Sequence, residues 1–228
     1  LDIQIDEFTE IEKFNVLVTK DNLLKKVKDY SEDNKEKDKN IRTSIPITSN
    51  QKLLIFLSSG KALTLDPNLL PSGKSSPKSF IELINVGVDE KLIAVLNANT
   101  QKKLLLVSKF GKGFISITEK MITNQRKGKN IINLKNNDQL LNVHHLEYNH
   151  LALVSKNEKL LIFETSSLPT LHKGSGVQLM KIKDKDFIVD SCLFDLDEGL
   201  LWTKASKNKY LKNIDFWIGK RAQVGKKV

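Results

Sequence analysis

Lys103-Leu104-Leu105-Leu106-Val107-Ser108-Lys109, followed by Gly111-Lys112-Gly113 and Phe114-Ile115-Ser116-Ile117, reads as strand, tight turn, strand. The same unit recurs along the chain. Leu151 to Lys156 leads through Asn157-Glu158 to Leu160-Leu161-Ile162-Phe163, and Leu53 to Leu57 leads through Ser59-Gly60 to Ala62-Leu63-Thr64-Leu65. Weaker copies open the chain at Val16 to Leu24 and close it at Leu200 to Lys204, making five hairpins. With Val18, Phe56, Val107, Val154 and Trp202 as equivalent positions, the steps are 38, 51, 47 and 48 residues. A unit of roughly 40 to 50 residues with about four short strands is the repeat of radial β-architectures, because one small sheet cannot bury both its faces alone. The expectation is one all-β domain over residues 1–228, with blades at roughly 1–50, 51–100, 101–147, 148–195 and 196–228. Because it opens on Leu1 rather than Met, it is expected to be excised from a longer protein.

Between repeats the chain turns polar. Asp66 to Lys78 holds three prolines and three serines, Thr123 to Asn130 is basic, and Pro169 to Gly176 contains His172-Lys173-Gly174-Ser175-Gly176. Each precedes an apolar run, Phe80 to Ile84, Ile131 to Leu134 and Val177 to Ile182, expected as strands, so the loops recur at one place in the repeat. Loops at one place in a radial fold share one rim. Asp29 to Arg42 mixes charges of both signs and is expected to be a mobile loop.

Among 228 residues, 39% are hydrophobic and 28% charged, and no apolar run approaches the ~18 residues of a membrane span, which excludes an integral helical membrane protein. The lone Cys192 cannot form an internal disulfide and the start lacks a secretory pattern, so the expected compartment is the cytoplasm. Lys+Arg 37 against Asp+Glu 27 gives a net charge of +10, which favours a polyanionic partner. Only Arg42, Arg126 and Arg221 are arginines, so an AT-rich coding bias toward lysine accounts for part of that balance.

Enzyme motifs fail on context. Gly73-Lys74-Ser75 resembles the end of a phosphate-binding loop, but Asn68 stands at its first glycine and Pro77 interrupts the helix that must follow. His144, His145, His150 and His172 lack metal-site spacing, and Asp195 and Asp197 are turn residues after a strand. No catalytic residue, metal or cofactor is expected. The strongest local signal is charge: Lys103 to Leu134 carries Lys103, Lys109, Lys112, Lys120, Arg126, Lys127 and Lys129 against Glu119 alone. Lys and Arg bind phosphate as charges and loop amides bind it as donors, so Gln125-Arg126-Lys127-Gly128-Lys129 suits a duplex backbone. Lys61, Lys112 and Lys159 recur after the hairpin turns, and Lys74, Lys127 and Lys173 in the following loops. Lys204 to Lys227 adds eight basic residues, Lys220 and Arg221 among them, whereas residues 1–12 hold five acids and no base. A solvated lysine face, or a radial scaffold that binds an acidic protein, is the alternative reading.

Phe110-Gly111-Lys112-Gly113-Phe114-Ile115 with Asn124 to Lys129 and Ile131 to Leu134 resembles a blade of the C-terminal domain of the bacterial type IIA topoisomerases, the GyrA/ParC family of DNA gyrase and topoisomerase IV. Leu161-Ile162-Phe163, Leu168-Pro169 and Lys173 to Ile182 resemble the next blade of the ParC type, and Phe216 to Ala222 its end. The resemblance implies a five-bladed β-pinwheel, in which four-stranded blades exchange strands and double-stranded DNA bends around a basic outer rim. It also implies two partners, the rest of ParC and ParE. Against the gyrase Gln-Arg-Arg-Gly-Gly-Lys/Arg-Gly box, Gln125, Arg126, Lys127 and Gly128 match in character. Lys129 stands at the second glycine, however, and the segment lies in the third repeat, which favours the ParC type over gyrase-like wrapping. The family's catalytic tyrosine follows an arginine, whereas Tyr30, Tyr148 and Tyr210 follow Asp29, Glu147 and Lys209. The implied role is therefore DNA binding and bending without strand cleavage.

Overall fold

Leu53–Leu57 is buried at every position, the pattern of a strand covered on both faces rather than one. The computed structural model describes residues 10–31, 38–100, 102–135, 137–183, 185–204, 207–211 and 213–228. Its sheets are antiparallel blades. The first orders β3 (Ile41–Thr48), β1 (Lys13–Thr19), β2 (Leu23–Val27) and β6 (Lys78–Ser79). The second orders β7 (Leu92–Asn97), β4 (Leu53–Leu57), β5 (Lys61–Leu65) and β10 (Lys129–Asn130). The third orders β11 (Leu140–His145), β8 (Lys103–Ser108), β9 (Lys112–Ile117) and β14 (Val177–Gln178). The fourth orders β15 (Ile188–Phe194), β12 (His150–Ser155), β13 (Lys159–Glu164) and β18 (Lys226–Lys227). All five expected hairpins are present, but the fifth blade, β16 (Leu200–Lys204) with β17 (Lys207–Leu211), has two strands among the described residues rather than four.

The outer strand of each complete blade comes from the following repeat. β10 follows the hairpin of blade three yet pairs with β5 of blade two, and β6, β14 and β18 repeat that exchange. Neighbouring blades are thereby joined by backbone hydrogen bonds as well as by packing.

Alternate side chains of each central strand face opposite neighbours. Leu53, Ile55 and Leu57 pack with Phe14, Val16 and Val18 between blades one and two, whereas Leu54 and Phe56 pack with Leu104, Leu106 and Phe114 between blades two and three. Leu105 and Val107 meet Leu151 and Leu153 in the next seam, and Ala152 and Ile162 meet Leu200 and Leu211 in the last. Each buried Val, Leu, Ile or Phe among them contributes about 1.5–3 kcal/mol by leaving water, so the seams between blades constitute the core.

The structure corrects the segments after the loops. Phe80–Ile84 is a short helix, α1, because the Ser79 hydroxyl accepts the Ile81 amide at 3.3 Å and Asn85 adopts the left-handed conformation at its end. Its apolar side chains pack on the seam between blades one and two. Ile131 to Leu134 is not a strand; pairing is confined to Lys129–Asn130, and the buried Ile131 and Ile132 turn into the second seam. Of Val177 to Ile182 only Val177–Gln178 pairs. Of the expected loop at Asp29 to Arg42, residues 32–37 lie outside the described residues, while Ile41 and Arg42 belong to β3. No helix among the described residues is long and apolar enough to cross a membrane.

Candidate nucleic-acid interface

β3 packs on β7, β7 on β11 and β11 on β15, which places these strands innermost. The exchanged strands lie three positions away in each sheet, on the outer edge. The basic loops lead directly into them, so sequence and topology together carry lysine to the perimeter.

Blade two has the densest edge. Lys61 lies opposite Asn130, and Lys129 opposite Ala62. Gln125, Arg126 and Lys127 are exposed in the loop that approaches this pair. That loop is anchored by the Thr123 amide, which donates to Thr64 Oγ1 at 2.9 Å, and closed by the Gly128 amide, which donates to Gln125 O at 2.9 Å. Gly128 has φ +74°, and a Cβ there would sit 2.8 Å from Ala62 O and 2.9 Å from Leu63 Cγ. The glycine is required because the exchanged strand passes against the backbone of its neighbour. Lys129 is tethered, its ammonium donating to Lys120 O at 2.8 Å.

On blade three Lys112 lies opposite Gln178, and the exposed Lys173 precedes the exchanged strand. Its loop is tied across the seam, the Asn133 amide donating to Gly174 O at 2.8 Å. On blade four Lys159 lies opposite Lys227, with Lys220 exposed nearby in sequence. Arg221 is half-buried and its guanidinium donates to Gln178 O at 2.8 Å, linking the edges of blades three and four. On blade one Lys74 is exposed in the loop that enters β6.

Two features depart from the linear reading. The hairpin lysine of one repeat meets the basic loop of the next, Lys61 with Arg126 to Lys129 and Lys112 with Lys173, rather than the loop of its own repeat. Lys109 is engaged elsewhere: its ammonium lies 4.4 Å from the Phe187 ring centroid, and its carbonyl accepts the Ile188 amide at 2.8 Å. The linear reading also missed Lys78, Lys226 and Lys227, which lie in exchanged strands. Glycine or proline immediately before each, Pro77, Gly128, Gly176 and Gly225, was the signal that marks those strands.

The family described as DNA gyrase C-terminal domain, beta-propeller, matches residues 102–146 and 149–190. The A-subunit of DNA topoisomerase 4 from Rickettsia bellii is 30% identical over 78% of this chain, and that from Caulobacter vibrioides is 30% identical over 81%. By these matches the chain is similar to the GyrA/ParC C-terminal domain family. It spans about a quarter of the length of these relatives, 24% in both cases. The structure of the E. coli ParC C-terminal domain superposes with a TM-score of 0.80 over 95% of this chain and 94% of that one, at 20% identity. A crystal structure of the C-terminal domain of DNA topoisomerase IV gives 0.81 over 95% and 72%, at 24% identity. The β-pinwheel architecture is thus shared with this family at identities where only the fold is conveyed.

Proposed function

We propose that this chain is the DNA-binding and DNA-bending C-terminal domain of a topoisomerase IV ParC protein, which presents the transported duplex to a cleavage core elsewhere in the enzyme. The supporting observation is the outer edge itself. Lysine or arginine stands on exchanged strands, or in the loops entering them, on four successive blades, so phosphate contacts are spread along an arc. Bending a 20–30 base-pair duplex through tens of degrees costs about 1–6 kcal/mol, which a spread array of contacts offsets and a single patch does not. Contacts of this kind are to the backbone and carry no base sequence. The domain works as a shaped electrostatic surface, without cofactor or catalytic residue of its own. Strand cleavage and ATP hydrolysis then reside in the rest of ParC and in ParE, in the bacterial cytoplasm.

Binding of the isolated chain to unrelated duplexes across a salt series tests this reading. Expected is a steep fall of affinity with salt and little sequence preference. Salt-independent or absent binding overturns it in favour of a scaffold for an acidic protein. A gyrase-type wrapping domain is the second reading, favoured by the match of Gln125 to Gly128. Ligation of nicked circles in the presence of the chain separates the two, because chiral wrapping changes linking number and modest bending barely does.

A further inference from the structure

At the start of the inner strand in blades two, three and four stands an acid, Glu90, Asp138 or Asp186, followed two residues later by Leu92, Leu140 or Ile188. Each reaches across to the hairpin tip. Glu90 accepts the Ser59 amide at 3.2 Å, Asp138 the Phe110 amide at 2.8 Å and Asp186 the Asn157 amide at 3.0 Å, the same turn position each time. In blade three the link continues to the rim: the Ser108 hydroxyl donates to Asp138 at 2.6 Å and accepts the Lys112 amide at 3.0 Å. In blade four the Ser155 hydroxyl accepts the Lys159 amide at 3.4 Å. Blade one differs at both ends. Its register puts Lys39, not an acid, at the position of Glu90, Asp138 and Asp186, and the residue after its hairpin turn is Leu23 instead of lysine. Thus the three blades whose acid holds the tip are the three that carry Lys61, Lys112 and Lys159.

We propose that Glu90, Asp138 and Asp186 are positioning residues of the DNA-facing edge, fixing the hairpin tips so that the lysine after each turn is held at a constant place on the rim. The proposal rests on the DNA-binding reading above. A carboxylate has the wrong sign beside a phosphate backbone, so its presence at the tip is opposed by long-range electrostatics. Its contribution is geometric, satisfying a tip amide in each blade and, in blades two and three, a serine hydroxyl, Ser58 or Ser108, that otherwise competes for water.

That opposition gives a test with a sign. In the full 228-residue chain, Asp138→Asn removes a negative charge, and charge alone predicts tighter DNA binding. Positioning predicts weaker binding to a 30-base-pair duplex, by about two- to tenfold, the lower part of the range of coupling within one hydrogen-bond network. The comparison is made well below the melting temperature of each variant, with Asp195→Asn, at an exposed acid, as the charge control. The loss is expected to vanish when Lys112 is already alanine. Ser108→Ala, which interrupts the link while keeping the carboxylate, is expected to reproduce it and serves if Asp138→Asn does not fold. Binding by Asp138→Asn or Ser108→Ala as tight as the parent, or a loss that persists unchanged in the Lys112→Ala background, overturns the proposal. If Lys112→Ala and the triple change at Arg126, Lys127 and Lys129 leave binding and its salt dependence intact, the DNA-binding reading has failed instead.

Discussion

Lys61 and Asn130 face each other across an antiparallel pair although they belong to different repeats. Through that register the hairpin lysine of blade two and the basic loop of repeat three form one edge. The same exchange sets Lys112 against Gln178 and Lys159 against Lys227.

Alanine at Arg126, Lys127 and Lys129 together is expected to weaken binding to unrelated duplexes about equally. The salt slope should fall by roughly 2, since each phosphate contact contributes about 0.9 and Lys129 is partly occupied by Lys120 O. Titrations by fluorescence anisotropy at several salt concentrations measure this, and an unchanged slope means the loop faces away from DNA.

Gly128→Ala is expected to destabilise the domain by about 1–3 kcal/mol, because a left-handed φ of +74° and contact with Ala62 O must both be accommodated. The midpoint of denaturant unfolding reports it. DNA affinity should fall alongside, although no charge has been removed. Wild-type stability of the variant would show that the exchanged strand can leave its neighbour without cost.

Affinity should rise beyond statistical site counting between duplexes of about 12 and 30 base pairs, because the cationic edges of successive blades are displaced around the perimeter. A stiff A-tract should bind more weakly than a flexible duplex of equal length, the deformation energy being larger for the same contacts. Affinity per site independent of length and stiffness would sink the bending role.

His144 on β11 lies 2.8 Å through Nε2 from the Ser191 hydroxyl on β15, across the seam of blades three and four. Burial lowers its pKa, with His145 acting in the same direction and Asp190 opposing. The folded state therefore favours neutral imidazole. That preference stabilises the fold in full above the unfolded value of about 6.5 and is lost as pH falls through the lower folded value. His144→Gln should flatten the acid limb of thermal stability below about pH 6.5, measured by melting temperature against pH; an unaltered limb assigns it to other groups.

Much of the radial fold was legible because its evidence is local. Turn residues such as Gly60 and Gly111 stand at a fixed place between apolar runs, and a repeated hairpin repeats its sequence pattern. Phe80 to Ile84 misled because five apolar-rich residues satisfy either period, and the deciding feature was the hydroxyl of Ser79 capping a helix. The acids at Glu90, Asp138 and Asp186 recur every 48 residues but carry no signal individually, since their partners lie across the blade.

The central hairpin strands, their turns and the sign of the charge follow from the residues alone, because backbone preference, hydrophobic burial and ionisation act on neighbours along the chain. Which lysine stands beside which loop was decided only by the tertiary structure. Lys61 meets the loop of Arg126 because β10 crosses to β5, a pairing made by backbone hydrogen bonds that identify neither partner in the sequence. Two residues of pairing carry almost no pattern to read. Their placement is set by the seams on either side, where Leu54, Phe56 and Phe114 close around Ile131 and Ile132 and leave the exchanged strand one edge to join.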